Sequence, residues 1–307
     1  MTTVSRRHLL LGGAVVLGVS ACGPESGSSP SAGSASTGPL GISAIPDQDP
    51  ELLNRLYPAM ADRFAKATGL EVEYRPVTDY TAEVRAFQRG DIHLAWMGGL
   101  TGVQARELVP GADAIAQRDI DADFHTLFIA TKASGLEPFD DVSGLTALRG
   151  QSLTFGSETS TSGRLMPEYF LEQAGVAIDD LTGEPGFSGS HDATIEAVAS
   201  GAFEVGAVNE QVWAAAEEAG EVDLSGVQVL FRTPGYADYH WLVRPDIDEV
   251  YGAGTRQAVL DLLLGLDAEN PEDAEVLELF GADKFIVANN AAYDDLEDVA
   301  RSLGLVT

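Results

Sequence analysis

From Gly41 onward, short apolar runs alternate with amphipathic stretches of helical period, and that alternation admits little besides open α/β sheets. Residues 41–45 read as an apolar strand. Asp49-Pro50 opens a helix with an acid at the cap and proline at the first helical position. Leu52, Leu53, Leu56, Tyr57, Met60 and Phe64 follow at helical spacing until Gly69 stops the helix. Residues 70–77 alternate as a strand, Thr78-Asp79 caps a helix to about Gln88, and residues 91–97 form a strand before a helix over 101–108. Further strands are predicted at 112–117, 124–131, 152–156, 203–209, 227–232 and 239–244. Helices are predicted near 162–174, 191–200 and 210–219, and beyond residue 245 the pattern is helical only, over 254–266, 271–280 and 294–303.

A length of 307 residues suits two lobes better than one small core. The natural crossovers lie at residues 136–150 and 227–244, which gives residues 41–130 with 240–307 as lobe 1 and 131–239 as lobe 2. With 48 acidic against 18 basic side chains the net charge is −30, so the chain repels a phosphate backbone and a nucleic-acid partner is excluded. One cysteine leaves no disulfide framework and no cysteine-based zinc cluster, and the histidines show no metal-ligand spacing.

The first residues read as an address. Arg6 and Arg7 precede the apolar run of residues 9–19, and Cys22 follows where that run ends. Residues 1–21 have the form of a twin-arginine-like signal peptide, and Val19-Ser20-Ala21-Cys22 resembles a bacterial lipobox, with Cys22 as the lipidated residue. Residues 22–40 are then a Gly/Ser-rich tether, too polar to build a core. The expectation is an extracytoplasmic body, monomeric, that meets the membrane through its lipid alone.

The segment with chemistry is Thr154-Phe155-Gly156-Ser157-Glu158-Thr159-Ser160-Thr161-Ser162-Gly163, where a strand ends and a helix begins. A helix start offers unpaired N–H groups and partial positive charge, so it binds anions without a cationic side chain. One capping hydroxyl would satisfy the helix. The crowding of hydroxyls here suits a tetrahedral oxyanion with several oxygens to satisfy.

That run, with Ser190-His191 about thirty residues on and Thr78-Asp79-Tyr80 upstream, resembles the phosphate/phosphite/phosphonate-binding proteins of ABC importers. Residues 90–98, Gly-Asp-Ile-His-Leu-Ala-Trp-Met-Gly, fit the same family. The resemblance implies a two-lobed type II periplasmic-binding-protein fold of the α/β class, each lobe a mixed sheet flanked by helices, with the ligand clamped between lobes. It implies a small oxyanion ligand, ABC permease and ATPase partners and no cofactor. Carried over by position, Ser160, Thr161 and Ser162 bind the oxygens with Gly163 allowing close approach, and Tyr80 reaches across from lobe 1. His191 donates, as an imidazolium if charged, and Asp238 accepts a ligand proton or an ammonium group. Met97 and Gln211 depart from the aminoalkylphosphonate pattern, which has a tyrosine and a glutamate there; Glu210 is adjacent. Ala95-Trp96-Met97-Gly98 with Asp238-Tyr239-His240-Trp241 looks more like a branch labelled as selenate importers.

Two other classes compete. Ser160 or Ser162 with His191 and Asp238 would make an exported hydrolase of the Ser-His-Asp type, but no Gly-x-Ser-x-Gly elbow occurs and the residue order of that fold is not met. A lipoprotein sensor without a transport partner is the third class. His93 and His125, alternating with apolar neighbours, are expected on solvent faces.

Overall fold

The computed structural model describes residues 38–306; the signal-peptide and lipidation readings at residues 1–22 lie outside them. In chain order the elements begin with β1 (Leu40–Ala44), α1 (Pro50–Thr68), β2 (Val72–Tyr74), α2 (Tyr80–Arg89), β3 (Leu94–Met97), α3 (Gly99–Leu108) and β4 (Asp113–Arg118). Then come β5 (Thr126–Thr131), β6 (Leu153–Phe155), α4 (Met166–Gln173), β7 (Gly186–Phe187), α5 (His191–Ala199), β8 (Val205–Asn209), α6 (Glu210–Ala219) and β9 (Val227–Arg232). The chain closes with β10 (His240–Val243), α7 (Ile247–Tyr251), α8 (Thr255–Leu264), α9 (Pro271–Phe280), β11 (Phe285–Val287) and α10 (Asn290–Ser302).

Local chemistry sets the helix ends. The Asp49 carboxylate accepts from the N–H groups of Glu51 and Leu52, and Gly69 ends α1 at φ 71°, a left-handed conformation that favours glycine. Asp79 caps α2 by accepting from Ala82 N–H at 2.7 Å.

The strands build two mixed sheets, one in the order β11-β4-β10-β3-β1-β2 and one in the order β7-β6-β8-β5-β9. In the first, β1 pairs in parallel with β2 and β3, while β10 enters antiparallel between β3 and β4. In the second, β6 is parallel to β7 and β8, and β5 runs antiparallel to β8 and β9. Lobe 1's core is aromatic: Trp241 is fully buried and meets Tyr57, Phe64 and Trp96 at centroid separations of 6.3, 5.3 and 5.5 Å. Burying ~150–250 Å² of such a side chain contributes on the order of 4–6 kcal/mol before entropy is counted.

The chain passes between the sheets twice, over residues 119–125 and 233–239, and the two passages pair with each other. Phe124 N–H donates to Tyr236 O at 2.8 Å and Tyr236 N–H returns the bond to Phe124 O at 3.0 Å. The first crossing therefore precedes β5 rather than following it. Thr126–Thr131, expected in lobe 1, lies inside the second sheet because its pairing partners are β8 and β9. Strand β11, expected to be part of a helical tail, extends the first sheet along β4. His93 and His125 are buried, against the expectation of solvent faces. His93 meets the Tyr251 ring edge-on at 5.0 Å, and His125 Nδ1 lies 2.7 Å from Thr233 O in the second crossing. Among the described residues no helix is long and apolar enough to cross a membrane.

Candidate functional site

The hydroxyl run opens into one turn of π-helix, Thr161–Leu165, before α4 continues as an ordinary helix. Leu165 N–H donates to Ser160 O, and Met166 N–H to Thr161 O, each five residues back. Pro167 has no N–H to give to the carbonyls preceding it. Those carbonyls find partners elsewhere: Thr126 Oγ1 donates to Ser162 O at 2.8 Å, and Gly156 N–H to Gly163 O at 2.9 Å. The irregular turn is thus pinned to β5 and to the end of β6. Turns of this kind recur at functional sites.

Each hydroxyl has its own surroundings. Ser160 Oγ accepts from Gly163 N–H at 2.9 Å, so Ser160 is the cap and Gly163's donor is spent inside the turn. A Cβ at Gly163 would lie 2.8 Å from Ser160 Oγ and 3.2 Å from His191 Cε1, so glycine is required there by packing within the turn. Thr161 Oγ1 accepts from Leu100 N–H at 3.0 Å, and Asp238 Oδ1 accepts from the preceding Gly99 N–H at 3.0 Å. The N-terminus of α3 in lobe 1 is therefore capped by the second lobe's threonine and the crossing strand's aspartate, since its own Gly98 has no side chain to offer. A Cβ at Gly98 would fall 3.2 Å from Thr161 Oγ1 and 3.3 Å from Asp238 Oδ1.

Ser162 Oγ lies 3.5 Å from His191 Nε2. On the far side of the ring, Asn209 N–H donates to His191 Nδ1 at 3.3 Å, which fixes Nδ1 as the acceptor and puts the proton on Nε2. Burial pushes the imidazole down to about 3, which makes the neutral ring the form that can donate. The same bond argues against a hydrolase relay, in which that nitrogen would have to donate to a carboxylate.

Acids border the site. Asp238 is pushed up to about 7 by burial, opposed by the Gly99 N–H and the Thr161 hydroxyl, and its Oδ2 has no partner among the described residues. Asp47 is pushed up to about 6 by burial, opposed by the Tyr239 hydroxyl and Arg118. Glu83, one helical turn from Tyr80 on α2, is also buried and held well above the usual carboxylate range, by burial first and by Asp47 second. The Tyr80 phenol is buried beside Ser160 and has no hydrogen-bond partner among the described residues. Arg118, the cation nearest these groups, is held by Asp121 through bonds of 2.7 and 2.8 Å.

Tyr80, Ser160, Thr161, Ser162, Gly163, His191 and Asp238 are thus brought into one cluster sealed from solvent, with contributions from both lobes and the crossing strand. Of the residues that depart from the aminoalkylphosphonate pattern, Met97 is fully buried in the core and Gln211 lines a neighbouring cavity. Glu210 is engaged by Arg232 at 2.7 and 3.1 Å. Sequence reasoning missed Asp47 and Asn209. Asp47 falls in a segment whose only visible signal was the helix start at Asp49-Pro50. Asn209 carries two signals in one, since its side chain caps α6 while its N–H orients His191. Beyond Asp47, Asn209 and Tyr239 lies a cavity of about 500 Å³ walled by Tyr57, Trp96 and Phe280.

A family model described as the periplasmic substrate-binding protein of phosphonate ABC transporters matches residues 42–293. A probable phosphite-binding protein of an ABC transporter from Prochlorococcus marinus is 41% identical over 87% of this chain and 90% of its own length. Its structure in complex with methylphosphonate superposes with a TM-score of 0.85, covering 87% of this chain and 98% of that one. A phosphate-import protein of Mycolicibacterium smegmatis is 27% identical over 54% of this chain and 53% of its own. A binding component of a phosphonate ABC transporter from Pseudomonas aeruginosa, 18% identical, shares the fold with a TM-score of 0.73 over 85% of this chain and 84% of that one.

Proposed function

Because this chain belongs to the periplasmic substrate-binding proteins of phosphonate ABC transporters, we propose that its sealed cluster captures phosphite or a small alkylphosphonate for import. The protein is a binding component and not an enzyme. The observation that carries the ligand reading is the donor set: Ser160, Ser162, the neutral Nε2–H of His191 and the buried Tyr80 hydroxyl converge beside Thr161, while the nearby Arg118 is already held by Asp121. Such donors suit a small anion stripped of its water, each hydrogen bond to charge being worth ~1.5–3 kcal/mol.

Asp238 sets the protonation state of the ligand. Once Asp238 has given up its own proton, toward pH 7 and above, its Oδ2, with no partner among the described residues, accepts the proton of a ligand that still carries one and repels a fully ionised selenate or sulfate. Delivery to permease and ATPase subunits follows from the family's role in transport. We assign the anchor to Cys22, with residues 22–40 as the tether, on the lipobox-like order of residues 19–22.

Titration calorimetry of the folded body with phosphite, methylphosphonate, phosphate, selenate and sulfate tests the reading. Phosphite or methylphosphonate should bind most tightly, and at a thousand times its Kd should stabilise the fold by about 4 kcal/mol. Preference for selenate or sulfate would overturn it.

A further inference from the structure

The site has donors on one side, the α3 terminus with Asp238 on a second, and the pair Asp47 and Tyr239 on a third. The Tyr239 ring is stacked on Trp96 at 5.8 Å, meets Phe124 edge-on at 5.6 Å and lies 5.0 Å from the Arg118 guanidinium. Its hydroxyl accepts from Asn209 Nδ2 at 3.2 Å and faces the Asp47 carboxyl. Asp47 is 3% exposed, its Oδ1 has no partner among the described residues, and its carbonyl accepts from His191 N–H at 3.0 Å. Behind the pair is the cavity of about 500 Å³, a size within the ~300–1,000 Å³ of small-molecule sites.

We propose that Asp47 and Tyr239 form a partition between the anion site and this cavity, and so limit the organic substituent that a bound phosphonate can carry. The inference rests on the phosphonate reading above. Hydroxyls and the imidazole donate to the oxygens of a tetrahedral anion, whereas the Asp47 carboxylate has no proton to give and the Tyr239 hydroxyl, which accepts from Asn209, turns its own toward Asp47. The vertex that bears carbon is therefore turned toward the partition. A methyl group ends against it, and a longer substituent has to displace groups locked on both sides: Tyr239 in its aromatic stack, and Asp47 through the His191 backbone bond. Removing the Asp47 side chain leaves that backbone bond intact and joins the site to the cavity.

The test is calorimetry of the parent, Asp47→Ala, and Asp47→Ala combined with Ala215→Phe, which refills the cavity from α6. The ligands are methyl-, ethyl-, propyl- and phenylphosphonate, and circular dichroism checks folding. In the parent, Kd should rise at least about 100-fold from methyl- to phenylphosphonate, and Asp47→Ala should cut that ratio by about tenfold or more. The double variant should restore the parent ratio. Asp47→Ser replaces the alanine variant should the latter not fold. An unchanged ratio in a folded variant, or a parent that holds phenylphosphonate as well as methylphosphonate, overturns the partition. A parent that binds no phosphonate while binding another oxyanion overturns the ligand reading itself, and the partition with it.

Discussion

Thr161 Oγ1 accepts the N–H of Leu100 at 3.0 Å, so a side chain of the second lobe closes the start of a helix in the first. The hydroxyl that faces the site is also a clasp between the lobes. Removing it leaves a buried N–H unpaired in the closed form, which costs ~1–3 kcal/mol. Thr161→Ala should therefore weaken oxyanion binding by about 10- to 100-fold, and Thr161→Ser should recover most of the loss. Calorimetry on both variants checks this; parent-like affinity in Thr161→Ala would remove the clasp from the account.

His191 presents Nε2–H as a neutral ring, because burial holds its pKa at about 3. The affinity lost in His191→Ala should then be the same at every pH from 5 to 8, about 10-fold or more for a hydrogen bond to charge. A loss that deepens toward pH 5 would mean that the charged ring is the donor.

Asp238 behaves oppositely to a surface carboxylate. Its pKa is raised on folding, to about 7 from an ordinary 3.8, so the native state holds a proton that the unfolded chain has released between those values. Its contribution to stability is fully present below about pH 4 and fades as pH rises toward 7, by on the order of 4 kcal/mol at most. The buried histidines oppose this below pH 6.5, since the unfolded chain then binds more protons at those rings. The informative quantity is the difference between parent and Asp238→Asn. Urea titrations at several pH values should show the asparagine variant gaining on the parent as pH rises from 4 to 7; parallel curves would show that Asp238 is not protonated in the fold.

Gly102 sits on α3 against the ring of His240, where an added Cβ would lie 2.3 Å from Nε2. His240 in turn has Nδ1 3.2 Å from Asp238 O, so the ring cannot swing away freely. Gly102→Ala should destabilise the fold by about 1–3 kcal/mol. Combining it with His240→Ala should cost less than the two changes summed, and additive losses in denaturant titrations would refute the contact.

Much of the fold was legible because helix ends are local chemistry. Asp49-Pro50, Asp79 and Gly69 act on neighbours a few residues away, and the structure places each where its sequence position implied. Pairing across the molecule was not legible. Residues 124–131 read as a single strand, yet Phe124 pairs with Tyr236 in the crossing while Thr126–Thr131 enters the second sheet. Strand β11 has only three residues and no period to announce it. The site divides the same way. Hydroxyl crowding marked residues 157–162, whereas Asp47 and Asn209 take their places from contacts with His191 that no local pattern encodes.

The paired crossings have a mechanical consequence. Two strands bonded to each other through Phe124 and Tyr236 bend together as a ribbon, but neither can twist without breaking its bonds to the other. Such a linkage removes swivelling and leaves a single angle for the relative movement of the lobes, so one distance across the cleft measures the whole excursion. Spin labels on the exposed Arg55 of α1 and Ala219 of α6 would read that coordinate directly, and ligand should shift one distance distribution without broadening it.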